Sequence, residues 1–125
     1  MHFLIVFLGG GIGAACRHGI NLLALRTVGI AFPYGTLAIN AVGSFLMGVL
    51  TAYFLREQTP MAWRLFFATG VLGGFTTFSA FSLEAALLYE RGQPSMAAAY
   101  VLGSVVLAIA ALFAGLALTR AFGGA

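Results

Sequence analysis

The sequence has no lysine and no aspartate. Its charge amounts to six arginines and three glutamates in 125 residues. Charged residues make up 7% of the chain, where soluble domains carry about a quarter. That excludes a domain with an ordinary solvated surface. The acids are Glu57, Glu84 and Glu90, and none is spaced to form a carboxylate pair. No nucleophile triad and no metal-ligand cluster appears, so nothing points to an enzyme. The single cysteine, Cys16, excludes an intrachain disulfide. Its ordinary role is that of a small apolar residue. The N-terminus lacks a basic region ahead of its first apolar run, so a cleavable signal peptide is not expected. The arginines stand singly along the chain. The pI near 9.6 therefore does not mark a nucleic-acid surface, which would cluster its charge.

What is present is apolar. Hydrophobic residues make up 62% of the sequence, and the mean hydropathy is +1.05. A membrane helix needs about 20 apolar residues. Four such segments fill the chain, at roughly residues 3–25, 32–55, 61–89 and 96–119. The breaks contain Pro33, Pro60 and Pro94, as loop signals should. The expected class is an all-α membrane protein with four transmembrane helices in one domain spanning residues 1–125.

Glycine is abundant, with 17 residues. The pairs Gly9 and Gly13, Ser44 and Gly48, and Ala111 and Gly115 have the small-xxx-small spacing that lets membrane helices approach closely. Gly9-Gly10-Gly11-Ile12-Gly13 lies inside an apolar span with no strand before it, so it is not a phosphate loop. With four spans, one side holds Arg56, Arg64 and Arg120. The other holds Arg26 and Arg91, with Arg17 near it. The positive-inside rule gives almost no orientation. A chain without a preferred orientation can insert both ways and pair with an opposed copy.

The third segment breaks the apolar pattern at Gly73-Gly74-Phe75-Thr76-Thr77-Phe78-Ser79-Ala80-Phe81-Ser82-Leu83-Glu84. Glycine costs about 1 kcal/mol against alanine in a helix. The two glycines thus point either to a helix break or to a close helix crossing. A break would free backbone groups that only protein or water can satisfy. Phe78 and Phe81 share a helix face, and Thr77, Phe81 and Glu84 form a neighbouring stripe. Packing is the ordinary role of such rings. Here they alternate with hydroxyls, and the positive edge of an aromatic ring can meet a small anion. Thr36, Asn40 and Ser44 form a polar stripe in the second segment, continued by Thr51. Asn40 serves either as interhelical glue or as an amide donor to an anion. Tyr100 and Ser104 stand four apart in the fourth segment, and the stripe ends at Ala108 and Ala111. Arg17, with Asn21 one turn on, is a functional candidate as an intramembrane charge. It would attract anions at an entrance or pair with Glu84. His18 reads as an interfacial residue.

These residues resemble the small fluoride channels called Fluc or CrcB. The resemblance covers roughly residues 9–104. It rests on GxGAxxR from Gly11 to Arg17, on Tyr34-Gly35-Thr36-Leu37 with Asn40 and Gly43, and on GxxGGxTTFSxFSxE from Gly70 to Glu84. It implies an antiparallel, dual-topology homodimer with a broken third helix and two pores in the bacterial inner membrane. It implies passive, selective export of fluoride that entered as HF. Phe78 and Phe81 resemble the family's phenylalanine box, and Asn40 its pore asparagine. Tyr100 and Ser104 resemble the start of a polar track. Thr77 and Ser79 would join the anion pathway, with Ser79, Glu84 and Arg17 at vestibule positions. The backbone carbonyls of Gly73 and Thr76 would hold a structural sodium ion at the dimer axis. Ala80 and Ala108 depart from the family pattern by lacking hydroxyls. A small dual-topology multidrug exporter is the main alternative. It needs a membrane carboxylate facing its cavity, and the first segment offers Arg17 instead. A non-transporting assembly subunit would not need the polar stripes.

Overall fold

The computed structural model describes residues 1–123. Helix α1 runs His2–Val28 and α2 runs Tyr34–Glu57. The third span comprises α3 (Met61–Arg64), a π-helical stretch (Leu65–Leu72), α4 (Gly73–Phe75) and α5 (Phe78–Glu90). Helix α6 runs Pro94–Phe122. The four segments His2–Val28, Tyr34–Glu57, Met61–Glu90 and Pro94–Phe122 are each long and apolar enough to cross a membrane.

Local chemistry sets the ends. Helix α1 stops at Gly29, whose φ of 78° suits glycine. Gln58 takes a left-handed conformation after α2, and its N–H bonds the Phe54 carbonyl. Gly92, also at φ 78°, turns the chain between α5 and α6. Pro94 opens α6, where its missing N–H costs nothing.

Packing follows the small residues. In lipid, burial of apolar surface does not drive helices together, so close backbone contact must. A Cβ on Gly9 would stand 2.6 Å from the Phe66 carbonyl oxygen, and one on Gly13 would stand 2.7 Å from the Phe75 nitrogen. Both glycines therefore seat α1 against the third span. Gly74 meets the backbone of Gly10 in the same seam. Gly48 lies against the backbone of α6 at Leu112, and Gly115 lies against α2 at Phe45. The most deeply buried large side chains are Tyr100, Ile39 and Leu88. Large apolar side chains point outward, with Phe3 92% and Phe7 76% exposed. This is the pattern of a surface solvated by lipid.

The backbone of the third span is not uniform. Gly73 itself is helical, with φ −61° and ψ −38°. The chain leaves helical geometry two residues beyond the glycine pair. Thr76 (φ −81°, ψ 157°) is extended, as is Thr77 (φ −150°, ψ 121°). Gly74 answers to the close-crossing role. The π-helical stretch had no signature in the sequence. Its wider turn brings the backbone of Gly70 and Val71 against α1.

Candidate functional site

The site is built around the two extended threonines. Thr77 caps α5, and its hydroxyl oxygen accepts the Ala80 N–H at 3.1 Å. The same oxygen lies 3.3 Å from Ser79 Oγ. Asn40 reaches over from α2 and grips the Thr77 peptide on both sides. Its Oδ1 accepts the Thr77 N–H at 2.9 Å, and its Nδ2 donates to the Thr77 carbonyl at 3.0 Å. This is the interhelical glue role. One amide N–H of Asn40 remains beyond these two bonds.

These contacts change the accounting of the backbone. In a continuous helix the Thr77 N–H would serve the Gly73 carbonyl, and the Ala80 N–H would serve that of Thr76. Both donors are diverted, one to Asn40 and one to the Thr77 side chain. The Leu72 carbonyl takes the Thr76 N–H at 3.0 Å and the Thr76 hydroxyl at 2.9 Å. The Gly74 carbonyl takes Arg17 Nε at 3.2 Å. The Phe78 and Ser79 N–H groups open α5 and do not return to Gly74 and Phe75, so the four carbonyls from Gly73 to Thr76 all lose their helical donors, and that of Gly74 gains Arg17 instead.

A cavity of about 300 Å³ lies beside the threonines. Asn40 and Ser44 line it from α2, Thr76 and Thr77 from the extended pair, Phe78 and Phe81 from α5, and Ser104 and Ala108 from α6. Its lining contains no charged residue. The Phe78 and Phe81 ring centres are 5.5 Å apart, and Phe81 stands 5.2 Å from Tyr100. Phe81 is 9% exposed, whereas Phe78 is 78% exposed. Behind Phe81, the hydroxyls of Tyr100 and Ser104 are buried and make no hydrogen bond among the described residues, although the Thr36 hydroxyl stands near that of Tyr100. An unmet buried hydroxyl costs about 1–3 kcal/mol. Native structures keep such groups rare, and these two stand four residues apart on one face of α6.

A second cavity of about 320 Å³ lies toward the loops that join α1 to α2 and α5 to α6. Asn21, Tyr34, Glu84 and Arg91 are among its lining residues. The Glu84 carboxylate accepts a hydrogen bond from the Thr36 hydroxyl, and Thr36 is buried. An aromatic file joins the two cavities. From Tyr100 it continues edge-on to Phe32, with centres 5.5 Å apart, and from Phe32 to Tyr34 at 4.8 Å.

Most of the expected residues converge. Asn40, Thr77, Phe78, Phe81 and Ser104 share the first cavity, and Tyr100 backs it. Glu84 lies at the second cavity. Ser79 lies outside both linings, with its hydroxyl beside that of Thr77. Arg17 and Glu84 do not pair, because Arg17 bonds the Gly74 carbonyl and Glu84 bonds Thr36. Ala80 contributes its N–H to the cap, so its missing hydroxyl does not disturb that bond. Sequence reasoning placed Tyr34 only in a motif and did not single out Phe32. Their signal is the pair of aromatics flanking Pro33.

The chain is similar to known proteins over nearly its whole length. The family model described as CrcB-like protein, Camphor Resistance (CrcB), matches residues 4–116. The chain is 61% identical over 122 residues to a Rhodopseudomonas palustris protein named fluoride-specific ion channel FluC, covering 97% of this chain and 98% of that one. It is 56% identical over 121 residues to fluoride-specific ion channel FluC 2 of Nitrobacter hamburgensis, covering 96% and 98%. It is 57% identical over 124 residues to a protein of the same name as the first from Methylobacterium nodulans, covering 98% and 99%.

Proposed function

The chain belongs to the CrcB family, and from that membership we propose that it is a multi-pass membrane channel that lets fluoride leave a bacterial cell passively. It is a channel and not an enzyme. The multidrug-exporter alternative falls away with the family assignment. The observation that carries the pathway is the pair of buried, unpartnered hydroxyls of Tyr100 and Ser104 beside the Phe81 ring. A dehydrated fluoride ion needs hydrogen-bond donors along its way, and these hydroxyls make no hydrogen bond among the described residues.

The ion must also leave. A fixed cation in the pathway would hold it, and selective conduction needs binding that is weak enough to release. The first cavity offers neutral donors only: the spare N–H of Asn40, the Ser104 and Thr77 hydroxyls, and the edges of Phe78 and Phe81. Arg17 spends its hydrogen bond on the Gly74 carbonyl rather than on the path. From this cavity fluoride passes behind Phe81 along Tyr100 toward Thr36 and the second cavity, where Glu84 and Arg91 stand at the vestibule. Ser79 sits beside the Thr77 hydroxyl at the other approach. Fluoride that entered an acid-exposed cell as HF then leaves down its gradient and the membrane potential.

The active form in this reading is an antiparallel homodimer in the inner membrane with the third helix broken at Thr76 and Thr77. Phe78 projects out of the single chain, so a second copy completes the wall of the pathway. The near-even split of arginines between the two sides supports insertion in both orientations. Lipid covers the remaining apolar faces. A sodium ion at the dimer axis would be held by the Gly73 and Thr76 carbonyls, whose helical donors are diverted to Asn40 and to the Thr77 side chain. Two carbonyls are a partial donor set, and the opposed copy supplies the matching pair. The ion's contribution is to fix the extended segment and the copies together.

The reading is tested by growth. Expressed in a fluoride-sensitive bacterial strain that lacks its own exporter, the chain should restore growth in fluoride medium. The Phe81→Ile variant, expressed at the same level, should not. A wild-type chain that reaches the membrane and gives no protection contradicts the function.

A further inference from the structure

At the opposite end of α2 and α6 from the second cavity lies another site. A cavity of about 370 Å³ is lined by Ala52, Arg56, Thr119, Arg120 and Gly123. Such a volume suits a small-molecule headgroup. Both arginines sit in the last turns of their helices, where a membrane helix emerges among lipid headgroups. Arg56 is held in place from two sides. Its Nε donates to Glu57 at 2.8 Å, and its guanidinium stands 5.6 Å from the Tyr53 ring centre. The terminal nitrogens remain beyond that bond. One of them, Nη1, reaches the last turn of α6 and occupies the space that a Cβ on Gly123 would need. Glycine at 123 therefore lets Arg56 reach across to α6 beside Arg120. No acidic residue lines the cavity among the described residues. Glu57 offsets one of the two positive charges from outside it.

We propose that this cavity binds a phosphate group, that of an anionic phospholipid headgroup. A guanidinium fork matches phosphate oxygens in pairs. The Thr119 hydroxyl makes only a long 3.5 Å contact with the Val49 carbonyl, so it too can turn to a phosphate oxygen. Ala52 adds an apolar wall suited to the glycerol and upper acyl chain. Basic pockets between membrane helices at headgroup level are built for this ligand. The inference goes beyond the fluoride reading. It needs the spans to lie in a bilayer and does not need the ion pathway.

The experiment is native mass spectrometry of the purified full-length protein, titrated separately with phosphatidylglycerol, phosphatidylcholine and inorganic phosphate. Phosphatidylglycerol should be retained over phosphatidylcholine. Arg56→Gln and Arg120→Gln should each lower its affinity about fivefold, the worth of one arginine near an anionic surface. Arg26→Gln, at the other end of the protein, should leave it unchanged. Equal retention of the two lipids, or unchanged retention by both variants, overturns the proposal. Binding of inorganic phosphate without phosphatidylglycerol overturns the lipid assignment. If the glutamine variants do not fold, Arg120→Lys keeps the charge and removes the fork. Weaker retention by that variant supports the site, and unchanged retention overturns it.

Discussion

Removing the side chain of Asn40 is the most informative perturbation of the extended segment. Asn40→Ala deletes two hydrogen bonds, of 2.9 and 3.0 Å, that hold the Thr77 peptide. Each contributes about 1 kcal/mol net, and a buried group left unmet costs about 1–3 kcal/mol. Thr77 borders a cavity of about 300 Å³, so water can meet part of that demand. The loss should therefore fall at the low end, about 2–3 kcal/mol in all. For a chain of this size that is a drop in melting temperature on the order of 10 °C. Fluoride flux should fall with it, because Thr77 caps the helix that carries both phenylalanines. Asn40→Asp separates the two roles. It keeps an oxygen for the Thr77 N–H but turns a second oxygen toward the Thr77 carbonyl and places negative charge on the cavity. Its flux should be blocked even where the folded dimer is recovered. The assays are thermal unfolding in detergent and fluoride efflux from liposomes. An Asn40→Ala protein with wild-type melting and wild-type flux would refute the grip. Normal conduction by Asn40→Asp would remove Asn40 from the pathway.

Phe81→Ile and Phe78→Ile should each cut fluoride efflux while gel filtration shows unchanged assembly; wild-type flux in both would reduce the rings to packing. Ser104→Ala removes a hydroxyl with no protein partner, so melting should be unchanged or raised while efflux falls. Loss of stability with intact efflux would contradict the pathway role. Gly43→Val should disrupt folding or conduction, since even a Cβ there meets the Thr76 side chain and would stand 3.3 Å from the Phe75 ring. A fully active Gly43→Val protein would show that the extended threonines need no fixed seat. Arg17→Gln should lower stability by roughly 1.5–3 kcal/mol, the worth of a charged hydrogen bond, read from the same melting curves; an unchanged midpoint would make the Gly74 contact dispensable.

Much of the fold was legible because lipid imposes simple rules. Four apolar runs of spanning length, punctuated by Pro33, Pro60 and Pro94, place the helices to within a few residues. Gly9, Gly13, Gly48 and Gly115 announced the close contacts they make. The polar residues of three segments could be named, and the structure gathers five of them around one cavity. What could not be read were facts of pairing between distant elements. Asn40 grips Thr77, Thr36 bonds Glu84, and Arg17 bonds Gly74, each across dozens of residues. No single-helix pattern encodes them. The π-helical stretch is equally silent, since nothing in its residues sets it apart from the apolar run around it. The glycine pair left a break and a close crossing open; Gly74 makes the crossing, while the extended residues two positions on are held by Asn40 and the Thr77 cap.

The account stands most directly on ion flux from liposomes that hold the purified protein, read with fluoride and chloride electrodes in sodium-containing buffer. It predicts rapid fluoride efflux and no chloride efflux above protein-free liposomes. Folded protein that passes no fluoride, or that passes chloride as readily, would contradict it.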